Sequence, residues 1–198
     1  MVKVGVLAVQ GDFLEHLEIL REAGVESVYV KKVDDLYKID ALIIPGGEST
    51  TIGGLINFRN LAEPIIRLAD SGVPIMGVCA GAITLAKKVV DRVVGETNQF
   101  TLGLMNISVI RNIFGRQKNS FRTRVYIENI GEIDAAFIRA PGIIDAWEPA
   151  KIIGYIDHPT TGRVGVAAAQ NNLIAITFHP EITSDTKIYK FLLEIIKK

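Results

Sequence analysis

Cysteine occurs once in the 198-residue chain, histidine three times and tryptophan once, and this scarcity sets the first bounds. A lone cysteine cannot close an internal disulfide, so the chain suits a reducing interior and must fold on its hydrophobic core alone. No clustered His/Cys spacing suggests a metal site. No cofactor motif is present either: Gly-x-Gly-x-x-Gly does not follow the first apolar run, and Gly-Lys-Ser/Thr is absent, so nothing resembles a phosphate-binding loop. Lys and Arg number 22 against 22 Asp and Glu, so no net field recruits nucleic acid or a charged membrane. The charge-free stretches are too short to span a bilayer, and Met1 leads into an apolar run without the basic region and cleavage site of a signal peptide. These absences lead to the expectation of a cytoplasmic protein.

What is present is an alternation. Val2 to Val9 reads as a strand, and Phe13, Leu14, Leu17, Ile19 and Leu20 recur at helical spacing until Gly24. Val28 to Val30 and Ala41 to Ile44 read as strands, and Ile52 to Asp70 as helical. Apolar strands separated by helices imply a parallel sheet covered on both faces, with ligands bound outside the carboxyl ends of its strands. After about Val94 short candidate strands dominate: Thr101 to Ile110, Phe121 to Ile130, Ala135 to Arg139, Lys151 to Ile156, Val164 to Ala168 and Leu173 to Phe178. A last helix is expected from Asp185 to Lys197, with Ile188, Phe191, Leu192, Ile195 and Ile196 on one face. The expected fold is α/β, an open, doubly wound, mostly parallel sheet with helices on both faces and additional antiparallel strands. With no repeat or linker, residues 1–198 form one expected domain.

The single cysteine sits where this pattern is most informative. Val73 to Val78 is an apolar strand, and Ala82 to Lys88 reads as a helix, so Cys79 lies on a sharp strand-to-helix turn flanked by Gly77 and Gly81. Such a turn brings helix and strand too close for side chains beside the nucleophile. A helix N-terminus favours the reactive thiolate, and the N–H of Ala80 can face an oxyanion. Taken alone, Cys79 is equally well a buried structural thiol.

A reacting thiolate needs a base and a group to hold that base. His16 falls in the first helix and reads as an ordinary surface or partly buried imidazole. His158, before Pro159-Thr160-Thr161-Gly162, reads as a hairpin-tip residue. His179 follows an apolar strand, hence the same sheet edge as Cys79, and Pro180 biases it toward extended backbone. Glu181, two residues on, then falls on the same side and can reach its ring N–H. The alternative is that Glu181 only complements the dipole of the last helix. Pro45-Gly46-Gly47-Glu48-Ser49-Thr50-Thr51 follows the strand Ala41 to Ile44. Its glycines let bare backbone approach a ligand, and the N–H of Gly47 is a candidate second oxyanion donor. Ser49 or Thr50 is alternatively a cap for the next helix.

Pro45-Gly46-Gly47-Glu48, Gly77-Val78-Cys79-Ala80-Gly81 and His179-Pro180-Glu181, in that order, resemble the class I, triad-type glutamine amidotransferases. Val6 to Gly11 with Glu15-His16, Gly103-Leu104-Met105-Asn106, Arg111 to Gln117 and Phe137 to Pro141 narrow the resemblance to the glutaminase subunits of pyridoxal 5′-phosphate synthase. It runs nearly end to end, departing at Val78, where threonine is common, and at Ala82, where a bulkier apolar residue is usual. The resemblance implies Cys79 as nucleophile, His179 as acid/base and Glu181 as its orienter, without a cofactor. It implies L-glutamine as substrate, held at Gly47, Glu48, Ser49, Arg111, Ile138 and Arg139, and a synthase subunit that activates the chain and accepts its ammonia. Arg111 or Arg139 suits the substrate's α-carboxylate, since a guanidinium can bind it bidentately. Rival readings are a glutaminase serving another synthase, such as the one forming imidazole glycerol phosphate, against which Arg111 to Gln117 argues, and a DJ-1/PfpI-like stress protein, a group that lacks the late His-Pro-Glu.

Overall fold

The computed structural model describes residues 2–196. In its first half strands and helices alternate: β1 (Lys3–Leu7), α1 (Phe13–Glu22), β2 (Glu26–Val30), α2 (Val33–Leu36), β3 (Ala41–Ile44), α3 (Ser49–Phe58), α4 (Ala62–Asp70), β4 (Ile75–Val78) and α5 (Ala80–Leu85). Strands then dominate: β5 (Ala86–Asp91), β6 (Gly95–Glu96), β7 (Met105–Arg111), β8 (Phe121–Ile127), β9 (Gly131–Phe137), β10 (Gly142–Ala146), β11 (Lys151–His158), β12 (Gly162–Gln170) and β13 (Leu173–Ile176). Helices α6 (Pro180–Thr183) and α7 (Lys187–Ile196) follow.

All 13 strands join one mixed sheet. Its parallel part runs β2-β1-β3-β4-β13, and β12, β10 and β7 continue it antiparallel. The β8–β9 hairpin attaches through β11. The parallel strands are apolar at nearly every position because successive residues serve two cores. Val4, Val6, Ala41, Ile43, Met76, Val78, Ile174 and Ile176 pack with Ile19 and Leu20 of α1 and Ile188, Tyr189 and Leu192 of α7. Their neighbours Leu7, Leu42, Ile44, Ile75, Leu173 and Ala175 pack on the other face with Ile52 and Ile56 of α3 and Ile65 of α4.

Several expectations are corrected. The helix after Cys79 stops at Leu85 instead of reaching Lys88: Ala86 turns extended, and Lys87 to Val90 enter β5, where β-branched Val89 and Val90 suit a strand paired with β7. The span Ile52 to Asp70 is two helices. Asn60 adopts φ 56° and Leu61 N–H returns to the Ile56 carbonyl at 2.9 Å, a left-handed termination that ends α3. Strand β9 begins at Gly131 and ends at Phe137, which frees Ile138 and Arg139 as loop residues, Arg139 at φ 46°. Strands β6 and β10 and the short helix α2 escape the reading of periodicity, being too brief to show one. His16 is fully buried, not at the surface. The last helix starts at Lys187 and buries Tyr189, a residue outside the expected stripe; the expected end at Lys197 lies outside the described residues.

Candidate active site

Strands β1, β3, β4 and β13 are adjacent and parallel, so the segments leaving their carboxyl ends meet along one edge. These are Gln10-Gly11-Asp12 after β1, Gly46 to Ser49 after β3, Cys79 after β4 and His179 after β13. Asp12, Gly47, Glu48, Ser49, Cys79 and His179 of these segments, together with Ala80, Ile83, Arg111, Asn112, Ile138 and Arg139, line a crevice of about 140 Å³, room for far more than one water.

Cys79 stands at φ 50°, ψ −101°, backbone that an L-residue adopts only when its surroundings impose it. The imposition is visible. Its N–H is tied to Ile176 of β13 at 2.8 Å, and a Cβ added at Gly77 or Gly81 would lie 2.5 Å from the Gly81 carbonyl oxygen or 2.0 Å from that of Ile44. Cys79 itself is 7% exposed and opens on the crevice.

His179 is anchored by its N–H to Ala136 O at 2.8 Å, and its ring Nδ1 lies 2.5 Å from Glu181 Oε1. With Nδ1 engaged, Nε2 is the nitrogen left for Cys79. Burial opposes charge on this imidazole, but hydrogen bonds to the Cys79 sulfur and Glu181 override it and push the pKa up to about 11. Burial likewise opposes charge on Glu181, yet the His179 hydrogen bond and nearby His16 hold its carboxyl below the usual range. Asp12 Oδ2 lies 3.7 Å from His179 Nδ1, its pKa raised by burial against the pull of His179.

The Gly46-Gly47 segment is clamped from the β1 side. Asp12 N–H donates to the Gly46 carbonyl at 3.1 Å, and Glu48 N–H donates to Gln10 Oε1 at 2.9 Å. Gly11 completes the fit: it adopts φ 100°, and a Cβ there would stand 1.8 Å from Gly46 O. Neither Ser49 nor Thr50 caps α3. Glu48 is the capping position, and Ser49, buried, donates to Gln99 Oε1 at 3.3 Å. Ala80 opens α5, so its N–H belongs to the helix's unpaired first turn.

Every site residue expected from the sequence lines the crevice except Glu181, which stands behind His179. Arg111 reaches it from β7 and is caged: its guanidinium donates to Gln99 Oε1 at 2.8 Å, Glu48 Oε1 at 3.2 Å and Thr50 Oγ1 at 3.3 Å, with Asp91 at 3.9 Å. Arg139 is exposed at the crevice edge. His158 is not part of the crevice; its ring packs on Phe114 and Phe121 at centroid distances of 5.1 and 5.3 Å. Sequence reading missed Asp12 and Gln99, single polar residues in loops whose approach depends on tertiary structure. His16 had one available signal, its place beside Glu15 in a motif of the resembled family.

Comparison with known proteins identifies the family. The model of the SNO glutamine amidotransferase family matches residues 6–198. "Pyridoxal 5′-phosphate synthase subunit PdxT" of Hyperthermus butylicus is 56% identical over 100% of this chain and 98% of its own. The protein of the same name from Pyrobaculum aerophilum is 48% identical over 98% of each. A solved structure described as a glutamine amidotransferase superposes with a TM-score of 0.89 at 38% identity, covering 98% of this chain and 99% of its own. The structure of PurLQS from Thermotoga maritima, at 17% identity and a TM-score of 0.73 over 98% of each chain, shares the fold.

Proposed function

The chain belongs to the SNO glutamine amidotransferase family, and from that premise we propose that it is the glutaminase subunit of a pyridoxal 5′-phosphate synthase. It hydrolyses L-glutamine to L-glutamate and ammonia, and the ammonia passes to a partner synthase subunit. The observation that carries the chemistry is the Glu181–His179 contact of 2.5 Å beside a cysteine at an imposed left-handed turn.

In the proposed mechanism the Cys79 thiolate attacks the side-chain amide carbon of glutamine, and the carbonyl electron pair moves onto oxygen. N–H groups of Gly47 and Ala80 receive that oxyanion. The His179 imidazolium gives its Nε2 proton to the amide nitrogen, the C–N bond breaks, and ammonia leaves a thioester on Cys79. His179, now neutral, takes a proton from water, which attacks the thioester; the second tetrahedral species releases glutamate and the thiolate. Glu181 keeps the ring oriented and stabilises its charge in both half-reactions. Arg111 and Arg139 serve the α-carboxylate, Glu48 and Ser49 the rest of the amino-acid head, and Ile138 the chain edge of the pocket.

The partner is also the proposed activator. An oxyanion donor carried by Gly46-Gly47 depends on how that peptide is turned, and the Asp12 N–H to Gly46 O bond of 3.1 Å fixes one orientation. A subunit that contacts the Gln10-Gly11 turn can shift the choice between orientations. Losing one such donor typically costs about 100- to 1,000-fold, so activation of that order is expected. The experiment is steady-state glutamine hydrolysis by the chain alone and with saturating synthase, with Cys79→Ala in the complex as the blank. Equal rates with and without synthase refute the gating, and full turnover by Cys79→Ala refutes the nucleophile.

A further inference from the structure

Glu181 uses only one of its carboxylate oxygens on His179. The other, Oε2, is buried and has no hydrogen-bond partner among the described residues, and the same is true of His16 Nε2. The two atoms lie 3.7 Å apart, and both side chains are 0% exposed. Orphaned buried polar atoms are costly, about 1–3 kcal/mol each, so two that face each other across a dry gap are the natural partners.

The far side of His16 decides which tautomer can fill that role. His16 Nδ1 is 2.7 Å from the Tyr189 hydroxyl, itself buried on α7. Were Nδ1 the protonated nitrogen, the Nε2 lone pair would face a carboxylate and the tyrosine proton would lose this acceptor. With Tyr189 O–H donating to Nδ1, the imidazole carries its proton on Nε2, aimed at Glu181 Oε2. Burial lowers the His16 pKa, and burial raises that of Tyr189, so a neutral ring and an intact phenol suit the arrangement. The other charged groups that act on His16 are Glu181, His179 and Glu15 of its own helix.

We propose that His16, set in its tautomer by Tyr189, is a positioning residue for the glutaminase reaction: its Nε2–H holds Glu181 Oε2 so that Oε1 keeps the His179 ring aligned with Cys79. The chain of contact runs from α7 through α1 and α6 to the nucleophile, so the two helices covering this face of the sheet are part of the active site's support. Catalytic hydrogen bonds are often long before substrate binds and tighten in the complex, so a resting gap of 3.7 Å is compatible with this role. The proposal rests on the glutaminase reading given above.

The test uses His16→Leu, His16→Gln and Tyr189→Phe in the synthase complex. Glutamine, with an amide N–H of its own, restores a donor to Glu181; leucine does not. His16→Leu is expected to lower kcat about 10- to 100-fold, the usual cost of losing a residue that orients a catalytic group, with KM for glutamine within about twofold of wild type. His16→Gln should recover most of that loss, and Tyr189→Phe should fall between. A second readout needs no glutamine: the rate of iodoacetamide alkylation of Cys79, the sole cysteine, as a function of pH. A less firmly held Glu181 makes His179 a weaker proton acceptor, so the thiolate appears at higher pH, and the midpoint should rise by about half to one pH unit in His16→Leu. An unmoved midpoint with unchanged kcat overturns the proposal. So does an equal loss in the leucine and glutamine variants with an unmoved midpoint, which marks a purely structural role. If His16→Leu does not fold, Tyr189→Phe and His16→Gln decide by the same readouts. A wild-type complex that fails to hydrolyse glutamine sinks the functional reading instead, and leaves the alkylation result to stand on its own.

Discussion

Replacing Gly81 by alanine addresses the part of the site that carries most of the geometric precision. An alanine Cβ at this position would lie 2.0 Å from the Ile44 carbonyl oxygen, 2.9 Å from its carbon and 3.2 Å from its Cβ. Ordinary contact distances require a retreat of about 1 Å or more. Ile44 cannot supply it cheaply: it is 0% exposed in β3, paired with Gly77 of β4, and its carbonyl leads into Pro45-Gly46-Gly47. Moving α5 instead drags Cys79 and the Ala80 N–H. Either way the thiol and the two proposed oxyanion donors lose register by about 1 Å, a displacement worth on the order of 100-fold in rate. Overpacking of this kind also costs about 1–3 kcal/mol of stability. The matched control is Gly54→Ala, exposed in α3 with nothing within 4 Å of the added Cβ, which should stabilise the chain by up to about 1 kcal/mol. Urea unfolding and glutamine turnover of the two variants, each bound to synthase for the rate, check the reasoning. Gly81→Ala with turnover within threefold of wild type would show that the elbow tolerates a side chain and that the close approach does not position the thiol.

Three further outcomes are expected. His179→Asn should lower turnover by several orders of magnitude, as losing a triad member typically does, while His158→Asn, which alters only the aromatic cluster with Phe114 and Phe121, should stay within a fewfold; the reverse ranking would reassign the base. Arg111→Ala combined with Arg139→Ala should act mainly on KM for glutamine, because a carboxylate clamp serves ground and transition states alike, and an unchanged KM removes both from the pocket. Glu181 has its folded-state pKa depressed from 4.5, so its contribution to stability is present above that pH and is lost as pH falls through the folded value. Urea unfolding from pH 6 downward should therefore show a steeper loss in wild type than in Glu181→Gln, and parallel curves would contradict the depressed pKa.

The parts legible in the sequence are those where one physical requirement repeats or where several are compressed into a few residues. Continuous apolar strands announced a sheet buried on both faces, because β1, β3, β4 and β13 each feed two cores with alternate residues. Gly77-Val78-Cys79-Ala80-Gly81 announced the elbow, because a close approach of helix to strand leaves no room for side chains at either glycine. What was not legible depends on partners distant in the chain. Nothing local says that Ala86 to Lys88 leaves the helix, since the decision lies in pairing with β7. Nothing local ranks His16 above His158 as a buried residue; a histidine on the apolar side of a helix finds its meaning in Tyr189, 173 residues on. Arg111 was named as a substrate clamp, but its cage of Gln99, Glu48, Thr50 and Asp91 comes from three other segments.

That cage and the Gly46-Gly47 clamp together bear on where control of the reaction can reside. The thiol, the imidazole and Glu181 are fixed by buried elements: β4 and β13 hold Cys79, β9 holds the His179 backbone, and the Glu181 carboxylate holds the His179 ring. A partner subunit on the surface has little leverage over them. The oxyanion segment is different. Its orientation rests on single hydrogen bonds to Asp12 and Gln10, in a turn that is only partly buried, and its neighbour Glu48 shares its carboxylate with Arg111. In the proposed reading, glutamine entering the crevice would compete with Glu48 for Arg111 and so loosen the backbone that follows Gly47. Substrate and synthase would then act on the same short stretch from opposite sides, one through Arg111 and the other through the Gln10-Gly11 turn. A gate of this kind would respond to both at once, so that ammonia would be released only when glutamine and an acceptor are present together.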